Sequence, residues 1–431
     1  MYKIKKKLGE GGFGIVYLAS DSQGKYVAIK KFKDKNYTHE SLRELSFLVN
    51  IKHDNCVSLR AINYSGYSVE LIMEYAGISL RRYYNVMPII DRINICMGIM
   101  GDTLKALAYL HNNNIYHRDI KPDNILILNN KAKICDYGSA AIQRMDDTMT
   151  PGICTNYYKA PELFAENNIF YDSTVDIWSL GCTLYEFISK TQLFRARGDL
   201  NILHKILSYV PCTQQDLIDL DLVMINPNVC NQDGYYKFPD IVSYDITISE
   251  HRSILSLYKK YIKLMLIFNP SNRLTAQEIL NEMKIYYEVP IISKSYWIRS
   301  KVSDDIKNQR DEYVQYYKTL SVSTITLFKA IKILDMISEA LILTDKIARI
   351  CLYIASKYHD INHISLSFLG YKLDDIFTTE TLILSKINYN IYQPSIYELT
   401  NQKKIIDIVS IRELIENKTL LDILSLCEPI L

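Results

Sequence analysis

The sequence predicts an α+β fold: a small β-rich lobe, a larger helical lobe and, after them, an all-α domain. Three observations predict it. β-type runs at 15–19, 27–30 and 71–76 crowd into the first 76 residues, with one helical pattern between them. A charged stretch at 117–124 is followed by a strand–turn–strand pattern. The last third of the chain carries apolar residues at helical spacing in two successive segments.

Taken in order, Gly9-Glu10-Gly11-Gly12-Phe13-Gly14-Ile15-Val16 has the form GxGxxGxV. A strand-like run follows it, not a helix. That favours a hairpin laid over phosphates and disfavours a dinucleotide-binding turn. Glycine lets the backbone approach a triphosphate where a Cβ would obstruct. Lys30 closes the second run. Leu42, Leu45 and Leu48 then recur at helical spacing, so Glu44 stands on an amphipathic helix. The run at 71–76 reads equally as a core strand or as one bordering a ligand.

Next comes His117-Arg118-Asp119-Ile120-Lys121-Pro122-Asp123-Asn124. Phosphoryl transfer needs a carboxylate to orient a hydroxyl and take its proton, and Asp119 fits. It needs a compact cation for the moving phosphate, and Lys121 lies two residues on. It needs a neutral oxygen ligand for Mg2+, and Asn124 lies five residues after the Asp. After an Asn129-Asn130 turn signal, Asp136-Tyr137-Gly138 supplies a second carboxylate for a metal.

The octapeptide resembles the catalytic loop of eukaryotic protein kinases, and the other stretches fall in that family's order. The resemblance implies a bilobal protein kinase fold over 1–285, transferring the ATP γ-phosphate to protein hydroxyls with Mg2+. It implies Asp119, Lys121 and Asn124 as catalytic residues, and Asn124 and Asp136 as metal ligands. Gly9, Glu10, Gly11, Gly12, Phe13, Gly14, Val16, Ala28, Lys30, Met73, Glu74, Ala76 and Leu126 would line the nucleotide. Of these, Lys30 would hold the α- and β-phosphates, and the backbone from Glu74 to Ala76 would meet adenine. A Lys30–Glu44 ion pair would mark the assembled site. Asp176 would brace the catalytic loop, and Arg273 would pair with Glu162. Thr155 and Lys121 favour Ser/Thr over Tyr as the accepting residue.

Residues 38 to 44 are similar to the signature helix of cyclin-dependent kinases, which a cyclin pushes inward. That family's Ala-Ile-Arg-Glu is Ser41-Leu42-Arg43-Glu44 here. Its regulatory Thr and Tyr in the glycine loop are Gly12 and Phe13, so that inhibitory switch is absent. Thr150 is the candidate phosphosite, with Thr148 competing. Arg43 and Arg118 match two of three family arginines that would receive the phosphate; the third position is Ala141, with Arg144 close by. The family's Trp-Tyr-Arg before Ala160-Pro161-Glu162 is Tyr157-Tyr158-Lys159. Lysine does not reproduce the arginine fork, which puts a preference for proline after the acceptor in doubt. The stretch from about 190 to 260 fits the insert these kinases carry.

A linker is expected at 286–302 and a helical domain at 303–431. Leu327, Ala330, Ile331, Leu334 and Ile337 fall on one helix face, and Ile347, Ile350, Cys351, Ile354 and Tyr358 on the next. Ala355-Ser356-Lys357-Tyr358-His359-Asp360 resembles the Ala-Ser-Lys-Tyr-Glu-Glu that ends the third helix of a cyclin box. Residues 330–335 resemble the preceding cyclin helix, although the arginine expected next is Met336. The stretch 379–392, with Pro394 after it, resembles the fifth. This implies a single cyclin box and a kinase fused to its own activator. The plain alternative is a helical extension packed on the kinase. The rival functions are a kinase that needs a separate cyclin, with the tail as a docking or regulatory element, and a pseudokinase scaffold. The scaffold is disfavoured because Lys30, Asp119 and Asp136 are all present.

Bulk properties set bounds. Hydrophobic residues make up 48% and charged residues 23%, a balance that supports substantial cores. The net charge of +2 gives no case for nucleic-acid or membrane attraction; the kinase resemblance implies protein substrates as partners. Nine scattered cysteines without a CxxC pair read as thiols of a reducing compartment, cytoplasm or nucleus. No signal-peptide core or membrane-spanning run is visible. With 34 Tyr but 2 Trp and 11 Pro, the composition points to an AT-rich genome, such as that of a parasite or a large virus acting in a host cell.

Overall fold

The computed structural model describes residues 2–11, 14–32, 39–65, 68–142, 156–165, 171–222, 229–239, 249–288, 312–313, 316–317, 324–338, 340–359, 369–387, 389 and 391. The first sheet is antiparallel. It contains β1 (Lys3–Glu10), β2 (Gly14–Ser20), β3 (Tyr26–Phe32), β4 (Leu59–Ser65) and β5 (Ser68–Glu74), in spatial order β1-β2-β3-β5-β4. Register decides what faces where. Val16 pairs with Lys30 and Lys30 with Leu71; Leu18 pairs with Ala28 and Ala28 with Met73. Opposed residues and their second neighbours share a face, so Val16, Ala28, Lys30 and Met73 point to one side. Ala19, Val27, Ile29 and Ile72 form a small apolar cluster on the other.

Helix α1 (His39–Asn50) follows β3. Its leucine spacing predicts one buried stripe. The burial goes further: Ser41, Leu42, Glu44, Leu45, Ser46, Phe47 and Leu48 are each at most 3% exposed. Its apolar residues join the same core as Leu71 and Met73, and a helix from the C-terminal region lies against it. Each large apolar side chain buried in this way contributes about 1.5–3 kcal/mol.

Beyond β5 the chain turns at Gly77, φ +94°, where a Cβ would sit 1.9 Å from the Ile127 carbonyl oxygen. Only glycine fits there. The helical lobe then contains β6 (Ile78–Ser79), α2 (Leu80–Val86), α3 (Ile89–Asn112), β7 (Ile115–Tyr116), β8 (Ile125–Leu128), β9 (Lys131–Ile134) and β10 (Ala141–Ile142). It continues with α4 (Thr174–Ser189), α5 (Asp199–Tyr209), α6 (Gln214–Asp219), α7 (Ser249–Met265) and α8 (Ala276–Glu282). Strands β6, β8 and β9 form one small sheet, and β7 pairs with β10. Asn129 and Asn130 both take positive φ, 51° and 59°, the requirement of a two-residue turn of the primed kind.

Helix α4 is the axis of this lobe: every residue from Thr174 to Ile188 is buried. Trp178 stacks on Phe194, with ring centroids 5.6 Å apart, and carries the Arg273 guanidinium over its face. Arg273 grips Glu162 with two bonds of 2.7 and 3.0 Å. Both partners are buried, so removing either alone would strand a charge at a cost of about 3–5 kcal/mol.

The C-terminal region supplies α9 (Thr324–Ile337), α10 (Asp345–His359) and α11 (Leu373–Lys386). Leu327, Ala330, Leu334 and Ile337 are buried as their spacing predicts, and so are Ile350, Cys351 and Ile354. Helix α10 contacts α9, α11 and α1. Between α10 and α11 runs a buried ion pair, Lys357 with Glu380, with the ammonium 4.4 Å from the Tyr353 ring centroid. Burial lowers the Lys357 pKa and raises that of Glu380. The helix expected at 379–392 is shifted. It begins at Leu373, where Asp374 and Asp375 favour a helix N-terminus. It ends at Lys386, and the chain turns at Tyr389, φ +58°, whose N–H returns to Leu384 O. Pro394 lies outside the described residues.

Part of the expected linker is docked on the preceding lobes. Tyr287 OH lies 2.5 Å from His53 Nε2, and His53 stacks on Tyr109. Burial lowers the His53 pKa to about 4, keeping the ring neutral. The segment leading to the tail therefore leaves from beside the loop that follows α1. Among the described residues no helix is long and apolar enough to cross a membrane.

Candidate active site

The loop between β7 and β8 holds the charged octapeptide, and α4 shapes it. Asp176 is fully buried and accepts backbone N–H bonds from His117 at 2.8 Å and Arg118 at 2.7 Å, and a third bond from His111 Nε2 at 2.9 Å. Burial opposes its charge, but the His111 bond and the positive surroundings win and hold its pKa below the usual carboxylate value. The two amides can turn toward one carboxylate because Arg118 takes φ +64°. This conformation is rare for a non-glycine residue and is kept here by its bonds.

Beyond that bend, the loop's side chains converge. His117 Nε2 donates to Cys135 O at 3.0 Å, and its Nδ1 accepts from Asp119 N at 3.3 Å. Lys121 Nζ lies 2.6 Å from Asp119 Oδ2. Asn124 Nδ2 donates to Asp119 O at 2.8 Å and to Asp119 Oδ2 at 3.1 Å. With its nitrogen committed to Asp119, the amide presents its oxygen as the ligand atom.

The β8–β9 hairpin delivers Asp136, also at positive φ, +66°. Its Oδ1 is buried and accepts no hydrogen bond, with Lys30 Nζ 3.7 Å away. Burial opposes its charge. Lys30, His117 and the Gly138 amide outweigh burial and keep its pKa low. A buried, ionised, orphaned carboxylate oxygen fits a divalent cation. Among the described residues no three acidic, histidine or cysteine side chains form a cage. A cation here would complete its shell from phosphates and water, as Mg2+ does.

Lys30 reaches this group from the sheet. Its Nζ donates to Glu44 Oε2 at 2.5 Å, and both side chains are buried. Burial opposes the ammonium charge, but Glu44 and Asp136 together raise its pKa above the usual lysine value. Tyr137 is fully buried, and its hydroxyl donates to Ile134 O at 3.2 Å.

The face set by the strand register could serve as a floor for a nucleotide. A Cβ at Gly9 or Gly11 would meet no described atom within 4 Å, so packing does not explain glycine there, whereas close approach of a phosphate would. Gly14 is different: a Cβ would sit 2.5 Å from Lys31 O. Glu10 pairs with Lys7 at 2.5 Å. Gly12, Phe13 and Thr150 lie outside the described residues. Leu126 lies opposite Ser79 below the Gly77 turn. The Glu74 amide donates to Ser58 O, and its carboxylate takes Ser58 N and Lys133 Nζ. What Glu74 could offer adenine is thus its carbonyl, with Ala76 two residues on.

Two details carried no sequence signal of their role. Lys159 Nζ bonds Asp199 at 2.8 Å and lies over the Phe164 ring, so it is tied into the lobe's interior. Arg81 joins Asp123 of the catalytic loop to Glu186 of α4.

The family model described as Protein kinase domain matches residues 2–283, and the chain belongs to that family. It is 31% identical over 290 residues to the probable serine/threonine-protein kinase MRK1 homolog of Encephalitozoon cuniculi, covering 65% of this chain and 85% of the relative. It is 28% identical over 296 residues to cyclin-dependent kinase-like 4 of Mus musculus, covering 67% and 83%. It is 30% identical over 340 residues to mitogen-activated protein kinase 15 of Xenopus laevis, covering 72% and 55%. The chain is a Ser/Thr protein kinase that uses ATP and a divalent metal. Its relatives include mitogen-activated as well as cyclin-dependent-like kinases.

Proposed function

We propose that this kinase is of the cyclin-dependent type and is activated by its own C-terminal helices. One observation carries the reading: α10 packs on α1 while Lys30 and Glu44 are joined. A helix covered on both sides has little room to swing outward, so the tail favours the assembled site. Residues 355–359 of the stretch similar to a cyclin-box helix lie on that same α10. Docking in cis is supported by the Tyr287–His53 contact, which starts the connecting segment beside α1. Tethering raises the local concentration of the tail to the order of mM, so a free cyclin is unnecessary.

In this reading Asp119 orients the substrate hydroxyl and takes its proton. Lys121 neutralises charge on the moving phosphoryl group. Lys30 holds the α- and β-phosphates, and Asn124 and Asp136 hold Mg2+. The other residues of the register-set face line the nucleotide. Phosphorylation of Thr150 would add to the active state, and the protein would work in the cytoplasm or nucleus. The competing reading keeps the kinase but requires a separate cyclin, with the tail as a docking element.

The test is protein phosphorylation by the full chain and by residues 1–296, each without added cyclin. The full chain is expected to be active, the truncation at least about 10-fold weaker, and residues 297–431 to restore it. An equally active truncation would sink the built-in activator. Silence of both until a cyclin is supplied would favour the competing reading.

A further inference from the structure

Arg81 on α2 bonds four side chains, one on its own helix and three in other parts of the helical lobe. Its Nε donates to Asp123 Oδ2 at 2.7 Å. One terminal nitrogen donates to Glu186 Oε1 at 2.6 Å and Tyr84 OH at 2.8 Å, and the other to Tyr158 OH at 2.9 Å. Glu186 also accepts the hydroxyls of Tyr84, at 2.5 Å, and Tyr158, at 2.6 Å. Asp123 stands between Lys121 and Asn124 in the catalytic loop. Tyr158 ends the short turn Asn156–Tyr158, two residues before the Ala160-Pro161-Glu162 run. A protein whose hydroxyl reaches Asp119 must run over this ground.

Two carboxylates within 2.7 Å of one guanidinium, flanked by two phenols, are a binding site for an arginine side chain. Its floor is buried and its mouth is open: the Glu186 side chain is 2% exposed, Arg81 31% and Asp123 47%. Removing Arg81 would take the cation from buried Glu186 but leave it hydrogen-bonded by two hydroxyls, so the floor would remain polar and charged. The chain plugs this site with a side chain of its own.

We propose that Arg81 is a specificity-determining residue. It occupies from within a subsite that would otherwise take an arginine of the protein substrate, and so makes the enzyme indifferent to arginine at the position lying there. Indifference here follows from occupancy: an incoming guanidinium would have to displace one already making four bonds.

The experiment uses the full chain and a peptide set built on one phosphorylated reference peptide, with Arg or Gln placed in turn at each flanking position. The native enzyme is expected to give an Arg-to-Gln ratio of kcat/KM near one throughout. Arg81→Ala is expected to gain a ratio of about 10 or more at one position, as charge-assisted bonds to two carboxylates imply. Added methylguanidinium should erase that gain by refilling the site. A merely structural role would lower activity on all peptides alike and leave the ratios unmoved. Arg81→Met, which keeps the packing of the stem, is scanned alongside. If neither variant gains arginine selectivity, or if the native enzyme already has it, the proposal is overturned.

Discussion

Asp136→Asn is expected to lower kcat at least about 10³-fold while the chain stays folded. The carboxylate oxygen that accepts no hydrogen bond is the atom that would meet the proposed cation. Asparagine keeps the shape but loses the charge, and loss of a metal's charge stabilisation amounts to several kcal/mol of barrier. Folding should survive because Asp136 sits at φ +66°, a conformation that asparagine tolerates as well as aspartate does. Lys30 keeps its shorter bond to Glu44. Peptide phosphorylation and a melting curve check both halves. More than about a tenth of native activity would remove Asp136 from the metal site.

Lys357→Met is expected to cost the tail about 3–5 kcal/mol, because it strands Glu380 in the interior. Kinase activity should fall with it, although Lys357 is no part of the catalytic loop or the nucleotide face. A second change, Glu380→Leu, removes the stranded group and should recover most of both losses. Thermal unfolding and phosphorylation rates measured on the single and double variants decide this. A tail that melts early beside an unchanged rate would separate the tail from activity.

The chemistry was legible where a reaction demands fixed residue types at fixed spacing. Asp119, Lys121, Asn124 and Asp136 announce themselves because they lie within eighteen residues on one loop and hairpin. Lys30 and Glu44 were legible for a related reason: a strand period and a helix period place each of them. The Arg81 site was not legible, because three of its four partners stand 42, 77 and 105 residues away along the chain. No local pattern distinguishes Arg81 from Arg82 beside it. The all-round burial of α1 was hidden because its cover comes from α10, some three hundred residues downstream. Leucine spacing reports the stripe a helix turns to its own core and says nothing about a second layer. The end of α11 was misplaced because apolar or aromatic residues recur at 387, 389 and 391 after the helix stops, and the chain then makes a left-handed turn at Tyr389.

The claim at the centre of this account is that α10 holds α1 in place. Amide hydrogen exchange of peptides covering 41–50, compared between the full chain and residues 1–296, tests it most directly. These amides are expected to exchange at least about 10-fold faster in the truncation, while peptides from α4 exchange alike in both. Equal protection of α1 in the two proteins would contradict it.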